Sequence, residues 1–233
     1  MLNTYLQHIK HNMSLFDALT SKIAPYDCLA CGAEGQLLCA ACTGKLTPVP
    51  ERCYGCRGLS SGWLVCPACL SSSRLRSVRI GTAYIGSSKT LIWKLKLSGA
   101  RAAARIMARH LVPLTITGDV IIIMPVPTAT GRARRRGYDQ AKLLARELSR
   151  QTRLPYRDYL ARRGQSHQHG LTRRERLTQL SSAFRVTNPK AIVGANIMLV
   201  DDVVTTGATL EAAAEVLRAA GAARIDAVVF AQP

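Results

Sequence analysis

Two groups of residues in this 233-residue chain have types and spacings suited to chemistry. The first runs from Ile197 to Thr209. Four apolar residues, Ile197–Val200, precede two adjacent carboxylates, Asp201 and Asp202. Val203, Val204, Thr205, Thr206, Gly207, Ala208 and Thr209 follow, and a helical pattern runs over Ala208–Ala220. A Thr/Gly turn leading into a helix offers backbone N–H groups, hydroxyls and a positive dipole end to a phosphate. Paired carboxylates accept hydrogen bonds from vicinal sugar hydroxyls. In an open α/β sheet, ligands sit at the carboxyl ends of strands. The segment therefore reads as a holder for a sugar 5-phosphate. The plainer reading, an acidic pair capping a turn before an ordinary helix N-cap, explains less of the order of residues.

The second group is eight cysteines, all between residues 28 and 69. They form four Cys-x-x-Cys knuckles: Cys28/Cys31, Cys39/Cys42, Cys53/Cys56 and Cys66/Cys69. Each knuckle supplies two thiolates from one tight turn, and four thiolates make a closed tetrahedral zinc site. Four knuckles thus imply two structural zincs, with no open position for catalysis. Sequential pairing and crossed pairing both satisfy the count. Redox cysteines and an iron–sulfur cluster are the competing uses. A stretch of this size buries too little to hold itself together, so the metal has a structural purpose.

Positioning these groups requires a scaffold, and the pattern supplies one. Short β-branched runs lie at Val78–Ile85, Val120–Met124, Ile197–Val200 and Ile225–Phe230. Helical patterns lie at Leu91–Leu97, Ala102–Val112, Tyr138–Thr152, Thr172–Ser181 and Ala208–Ala220. Strands alternating with helices predict an α/β fold with a parallel sheet. Three parts are expected: an amphipathic helical segment over 1–27, a double zinc ribbon over 28–72, and the α/β domain over 78–233, with 71–77 as linker. Leu2, Leu6, Ile9, Met13, Phe16, Leu19 and Ile23 form the apolar stripe of the first part; Met13 offers an alternative start.

Composition narrows the partners. Lys and Arg number 32 against 14 Asp and Glu, a net charge of +18. Apolar residues at 48% exclude disorder as the main description, and aromatics at 5% argue against a base-stacking sheet. Fifteen Lys and Arg against four Asp and Glu place +11 of the charge between Gly131 and Arg185. Arg134, Arg135 and Arg136 follow a strand, and a planar guanidinium suits a diphosphate. Arg173 and Arg174, with His167 and His169, are further anion candidates, although a solvated loop is the plainer place for the histidines. The surplus over one diphosphate suggests a second polyanion such as single-stranded DNA. Residues 1–24 contain no apolar run of the about 7–15 residues that a signal peptide needs. Val120–Val126 is far short of the roughly 18 that cross a bilayer. A reducing, cytoplasmic compartment is expected.

The 197–209 string resembles the signature of the type I phosphoribosyltransferases, which bind 5-phosphoribosyl-1-pyrophosphate (PRPP). The resemblance implies a parallel sheet with helices on both faces, Asp201 and Asp202 as catalytic residues on the ribose hydroxyls, Val203–Thr209 on the 5-phosphate, and Mg²⁺ bound with PRPP. It also places a pyrophosphate loop at Arg134–Arg136 and a hood near 161–176. Arg135–Ala145 resembles the Arg-Gly-Phe-Asn-Gln-Ala box of the ComF family, with Tyr138 and Asp139 where Phe and Asn are usual. Leu91–Lys96, Pro125–Pro127, Gln168–Arg176 ending at Ala183–Phe184, and the cysteine block match the same family. That resemblance implies a role in DNA uptake and natural transformation, with single-stranded DNA and competence-machinery proteins as partners. A sister branch concerns gluconate utilisation. An active transferase with an unidentified nitrogen acceptor and no DNA role is the alternative. Lys94 and Lys96 flank Leu95 and read as two solvated lysines, although the resemblance allows a site role.

Overall fold

The computed structural model describes residues 26–96, 100–115, 121–128, 137–162 and 183–233. The expected helix over Thr172–Ser181 and residues 1–25 of the expected helical segment over 1–27 lie outside these residues; Asp27, at the end of that segment, bridges Glu34 instead. The chain divides into two compact units, one ending at Lys45 and one spanning Leu46–Pro233.

In the first unit, the Cys28/Cys31 knuckle closes with Gly32 N–H donating to the Cys28 carbonyl at 2.9 Å. The second knuckle opens a single helical turn, Ala40–Thr43.

Among the described residues, the larger unit is built on four parallel strands: β1 (Ser77–Ala83), β2 (Ile121–Pro125), β5 (Asn196–Val203) and β6 (Arg224–Gln232). Their order is β1-β6-β5-β2. Burial on both faces explains why β5 and β6 read as continuous apolar runs rather than alternating ones. Two short strands, β3 (Leu160–Arg162) and β4 (Phe184–Val186), pair antiparallel as a separate ribbon. Three residues each were too few to leave a readable period.

Among the described residues, four helices of eleven to thirteen residues accompany the sheet: α1 (Gly86–Lys96), α2 (Ala100–Leu111), α3 (Gln140–Thr152) and α4 (Ala208–Ala219). One sheet face, with Ile80, Ile197, Leu199, Ala227 and Val229, packs in a common core with Leu210, Ala213 and Leu217 of α4. The opposite face meets α2. A Cβ on Gly81 would stand 2.9 Å from the Phe230 carbonyl oxygen of β6 and 3.0 Å from Leu111 Cδ2 of α2, so strand and helix both close on this glycine. His110 adds a 2.9 Å hydrogen bond from Nε2 to the Gly81 carbonyl and an edge contact with the Phe230 ring.

Segments lie along both lateral edges of the sheet. Outside β1, Leu64 bridges Ser77, Val65 N–H donates to the Arg76 carbonyl, and Ala83 N–H donates to the Thr47 carbonyl. Outside β2, Ile123 N–H donates to the Pro155 carbonyl at 2.8 Å and Arg157 N–H returns to Ile123 at 3.0 Å. The 71–77 stretch, expected as a linker, is a docked segment instead. Leu75 is buried among the core residues, and Arg76 N–H donates to the Ile225 carbonyl at 2.8 Å. Its serines and arginines suggested a solvated tether, but the apolar Leu75 and the adjacent strand edge anchor it.

Candidate functional site

At the carboxyl end of β5 the ladder continues through Asp201, paired with Val229, and Val203, paired with Ala231. Val204 N–H still donates to the Ala231 carbonyl at 3.0 Å, and its side chain is buried. The chain then turns outward, leaving Thr205 and Thr206 exposed. Gly207, at φ +76°, is the N-cap of α4, and Thr206 Oγ1 accepts from Ala208 N–H at 3.4 Å. The positive φ explains glycine at this position. The result is a turn of exposed hydroxyls at the positive end of a twelve-residue helix.

The two carboxylates differ. Asp202 is buried, and its Oδ2 lies 2.8 Å from Lys96 Nζ at the end of α1. The contact is an ion pair without the alignment of a hydrogen bond. Asp201 Oδ1 accepts from Asp202 N–H at 2.8 Å. Burial, and then the adjacent Asp202 carboxylate, hold the Asp201 carboxyl well above the usual carboxylate range; Lys96 opposes the shift.

Lys96 is therefore no solvated lysine. Lys94 stands over the Trp93 ring, 5.6 Å from its centroid, while Lys96 reaches the carboxylate pair. The two departures from the Arg-Gly-Phe-Asn-Gln-Ala box also have structural uses. The Tyr138 hydroxyl, which Phe lacks, donates to the Leu95 carbonyl at 2.8 Å, one residue before Lys96. Asp139 caps α3, with Oδ1 accepting from Ala141 and Lys142 N–H at 3.0 and 3.2 Å. Its Oδ2 accepts from Thr128 N–H at 2.9 Å, tying the residues after β2 to the helix.

The cysteines fall into two sequential clusters, Cys28/Cys31/Cys39/Cys42 and Cys53/Cys56/Cys66/Cys69. Within each, the four Sγ atoms lie within 4.8 Å of one another. Cys31 and Cys39 sulfurs are 3.8 Å apart, and those of Cys56 and Cys66 are 3.6 Å apart. A tetrahedron with Zn–S bonds of about 2.3 Å has edges of about 3.8 Å, so the donor sets fit that ion. Hydrogen bonds from backbone N–H groups, Cys39 first, pull the Cys28 thiol down to about 6. Burial pushes Cys53 up, but N–H groups of Cys56, Cys66 and Gly55 outweigh it and bring that thiol to about 6 as well. Each cluster therefore has one thiol predisposed to lose its proton to a metal.

Comparison with known proteins bears on this arrangement. The model of the phosphoribosyl transferase domain matches residues 97–233. DNA utilization protein YhgH of Escherichia coli O6:H1 is 32% identical over 212 residues, covering 84% of this chain and 90% of that one. The chain belongs to the phosphoribosyl transferase domain family, in its ComF branch. Competence protein F of Haemophilus influenzae is 38% identical over 106 residues, and competence protein ComFC of Bacillus subtilis is 38% identical over 102. Those two matches span less than half of each relative, 46% and 40%. Among solved structures, an allosteric regulatory enzyme of purine biosynthesis aligns at 15% identity with a TM-score of 0.40, over 55% of this chain and 25% of that one.

The ComF-type cysteine ribbon brings residues to the loop that sequence reasoning did not single out. The Tyr54 ring packs on Gly207, and Arg57 Nη2 donates to the Thr205 carbonyl at 3.0 Å. The Tyr54 hydroxyl and Ser73 Oγ both donate to Glu211 Oε1 in the first turn of α4. The signal was present, since Tyr54 and Arg57 each follow a knuckle cysteine, but nothing in the spacing said which surface they face. Arg134, Arg135, Arg136, His167, His169, Arg173 and Arg174 lie outside the described residues. A cavity of about 540 Å³, lined by Arg74, Arg76, Arg218 and Arg224, opens at the amino ends of β1 and β6, away from the carboxylate pair. Glu215 pairs with Arg74 at 2.7 Å and Asp226 with Arg224 at 2.5 Å. Among the described residues, no helix is long and apolar enough to cross a membrane.

Proposed function

We propose that this protein binds PRPP with Mg²⁺ at the carboxyl end of β5 and acts in the uptake or use of DNA. The observation that carries the ligand is the adjacency of Asp201 and Asp202 to the exposed Thr205–Thr206 turn at the α4 N-terminus. In this reading the carboxylates orient the ribose hydroxyls and the turn takes the 5-phosphate on backbone N–H groups and hydroxyls. Arg134–Arg136 and Arg173–Arg174 are the candidates for the diphosphate. Magnesium, bound mainly by diphosphate and water, would neutralise charge on those oxygens. Two zincs in the four-cysteine clusters complete the cofactor set.

The DNA role is supported by the names of the relatives, two competence proteins and a DNA utilization protein. The net charge of +18 supports it too. The arginine-lined cavity is a second basic feature remote from the sugar-phosphate turn. A calorimetric titration of the full chain with Mg-PRPP, repeated with a single-stranded oligonucleotide present, tests both parts. Saturable binding at micromolar ligand, and salt-sensitive oligonucleotide binding, are expected. Absence of a PRPP isotherm overturns the pocket assignment.

The family match favours a second reading, transfer of the phosphoribosyl group to a nitrogen acceptor. Positioning and charge stabilisation would then carry the rate, with pyrophosphate leaving from C1 as the nitrogen bonds to it. Acceptor-dependent release of pyrophosphate decides for it.

A further inference from the structure

We infer that the second cysteine ribbon sets the conformation of the phosphate turn, so that metal binding at Cys53, Cys56, Cys66 and Cys69 and anion binding at Thr205–Ala208 are linked. The anion half rests on the reading proposed above.

Three contacts join ribbon and turn, and each leaves the ribbon close to a metal ligand. Tyr54 follows Cys53 directly, and a Cβ on Gly207 would stand 2.5 Å from its Cε2 and 2.8 Å from its Cδ2. Arg57 follows Cys56 directly and holds the Thr205 carbonyl from Nη2 at 3.0 Å. Ser73, four residues beyond Cys69, donates to Glu211 Oε1 at 2.5 Å, sharing that oxygen with the Tyr54 hydroxyl. The backbone direction of each knuckle is fixed by its two sulfurs, so a change at the metal turns these side chains against the loop.

The first ribbon gives the contrast. Leu29 and Gly32 stand at the positions that Tyr54 and Arg57 occupy in the second. Gly32 has φ +73° and Arg57 has φ +65°. Both knuckles demand a left-handed residue, and glycine adopts it without strain. The second knuckle holds an arginine in that conformation, and the guanidinium is the group that reaches the turn. A strained residue whose side chain supports a binding loop is a functional device.

A segment whose turns are closed by four thiolates loses its geometry when the metal leaves. The turn would then lose the aromatic wall at Gly207 and the donor on Thr205 together. Coupling between two binding equilibria is reciprocal, so ligand on the turn must tighten the metal by the factor by which the metal tightens the ligand.

The test uses the full zinc-loaded chain and the variants Tyr54→Leu, Arg57→Gly and Cys66→Ser. Hydrogen exchange is read at the amides of residues 204–210, without ligand. Arg57→Gly relieves backbone strain, so it separates loss of the guanidinium from loss of folding. Exchange at the turn is expected to rise about tenfold or more in each variant. Zinc affinity is then measured by competition with a zinc-selective chelator, with and without Mg-PRPP. One of the two zincs should bind about fivefold or more tighter with ligand, and the other should not move. Wild-type exchange at the turn in both Tyr54→Leu and Arg57→Gly overturns the inference, as does zinc affinity indifferent to a ligand that the wild type binds. If the wild type binds no Mg-PRPP, the pocket assignment falls, while the exchange data still decide whether the ribbon sets the turn.

Discussion

Lys96 Nζ stands 2.8 Å from Asp202 Oδ2, joining the last residue of α1 to the carboxylate pair at the end of β5. The side chains are 29% and 8% exposed, so the pair is partly shielded from water. Lys96→Met leaves two adjacent carboxyls without their nearest cation. Urea denaturation should show a loss of about 2 kcal/mol, below the roughly 3–5 kcal/mol of a fully buried pair because Lys96 reaches solvent. Asp202→Asn combined with Lys96→Met should recover about 1 kcal/mol of that loss in a double-mutant cycle. Strict additivity of the two changes would show that the contact carries no energy.

Asp201→Asn with Asp202→Asn tests ligand rather than fold. Charged hydrogen bonds to ribose hydroxyls are worth about 1.5–3 kcal/mol each, so affinity for Mg-PRPP should fall by over about a hundredfold. The fold should survive with a modestly lower thermal midpoint, because Asp202→Asn breaks the Lys96 contact while the double change also removes the repulsion that raises the Asp201 carboxyl. Unchanged calorimetric affinity would remove the carboxylates from the site.

Asp139 links an N-cap to a loop. Asp139→Ala should lower stability by about 1–2 kcal/mol, since Ala141, Lys142 and Thr128 all lose an acceptor. Asp139→Asn keeps one acceptor oxygen and should lose less than half as much. Equal losses in the two variants would show that the charge, not the cap, matters.

Glu211 gives stability a pH dependence whose sign follows from the burial of its carboxyl. Burial first, and then Glu215, push its carboxyl up to about 7, against the pull of Arg74 N–H. An unfolded glutamate titrates near about 4.3, so the native state holds the extra proton between these values. The contribution is fully present below about pH 4 and is lost as pH rises through about 7. Allowing for its partial exposure, this amounts to roughly 1–2 kcal/mol. Glu211→Gln should flatten the fall in stability between pH 5 and 8 by about 1 kcal/mol. An unaltered slope would assign the pH dependence to other groups.

Much of this was legible in the sequence for a physical reason. β5 and β6 are buried on both faces, so Ile197–Val200 and Ile225–Phe230 stand out as apolar runs, and Asp201, Asp202 and Gly207 interrupt that pattern where the chain must turn. The cysteine knuckles announced themselves by spacing, and neighbouring knuckles pair in order. Lys96 was read as solvated because one helix position cannot say that a strand end lies opposite. Tyr54 and Arg57 were silent for the same cause: their partners are about 150 residues away in sequence, and no local period encodes that meeting. The docking of 71–77 was silent because Leu75 is its one apolar residue and the partners of Ser73, Arg74 and Arg76 lie far along the chain.

The flanked margins of the sheet have one more consequence. Leu64, Val65 and Thr47 take backbone groups at the two ends of β1, and Pro155–Arg157 take those of Ile123 in β2, so a foreign strand would meet both margins partly occupied. The guard on β1 hangs on the second ribbon, because Leu64 and Val65 lie between its two knuckles. Stripping zinc should therefore bare a β-branched strand and send the protein into aggregates, visible as light scattering before the helical signal is lost. On this account metal starvation acts as a solubility defect as well as a binding defect.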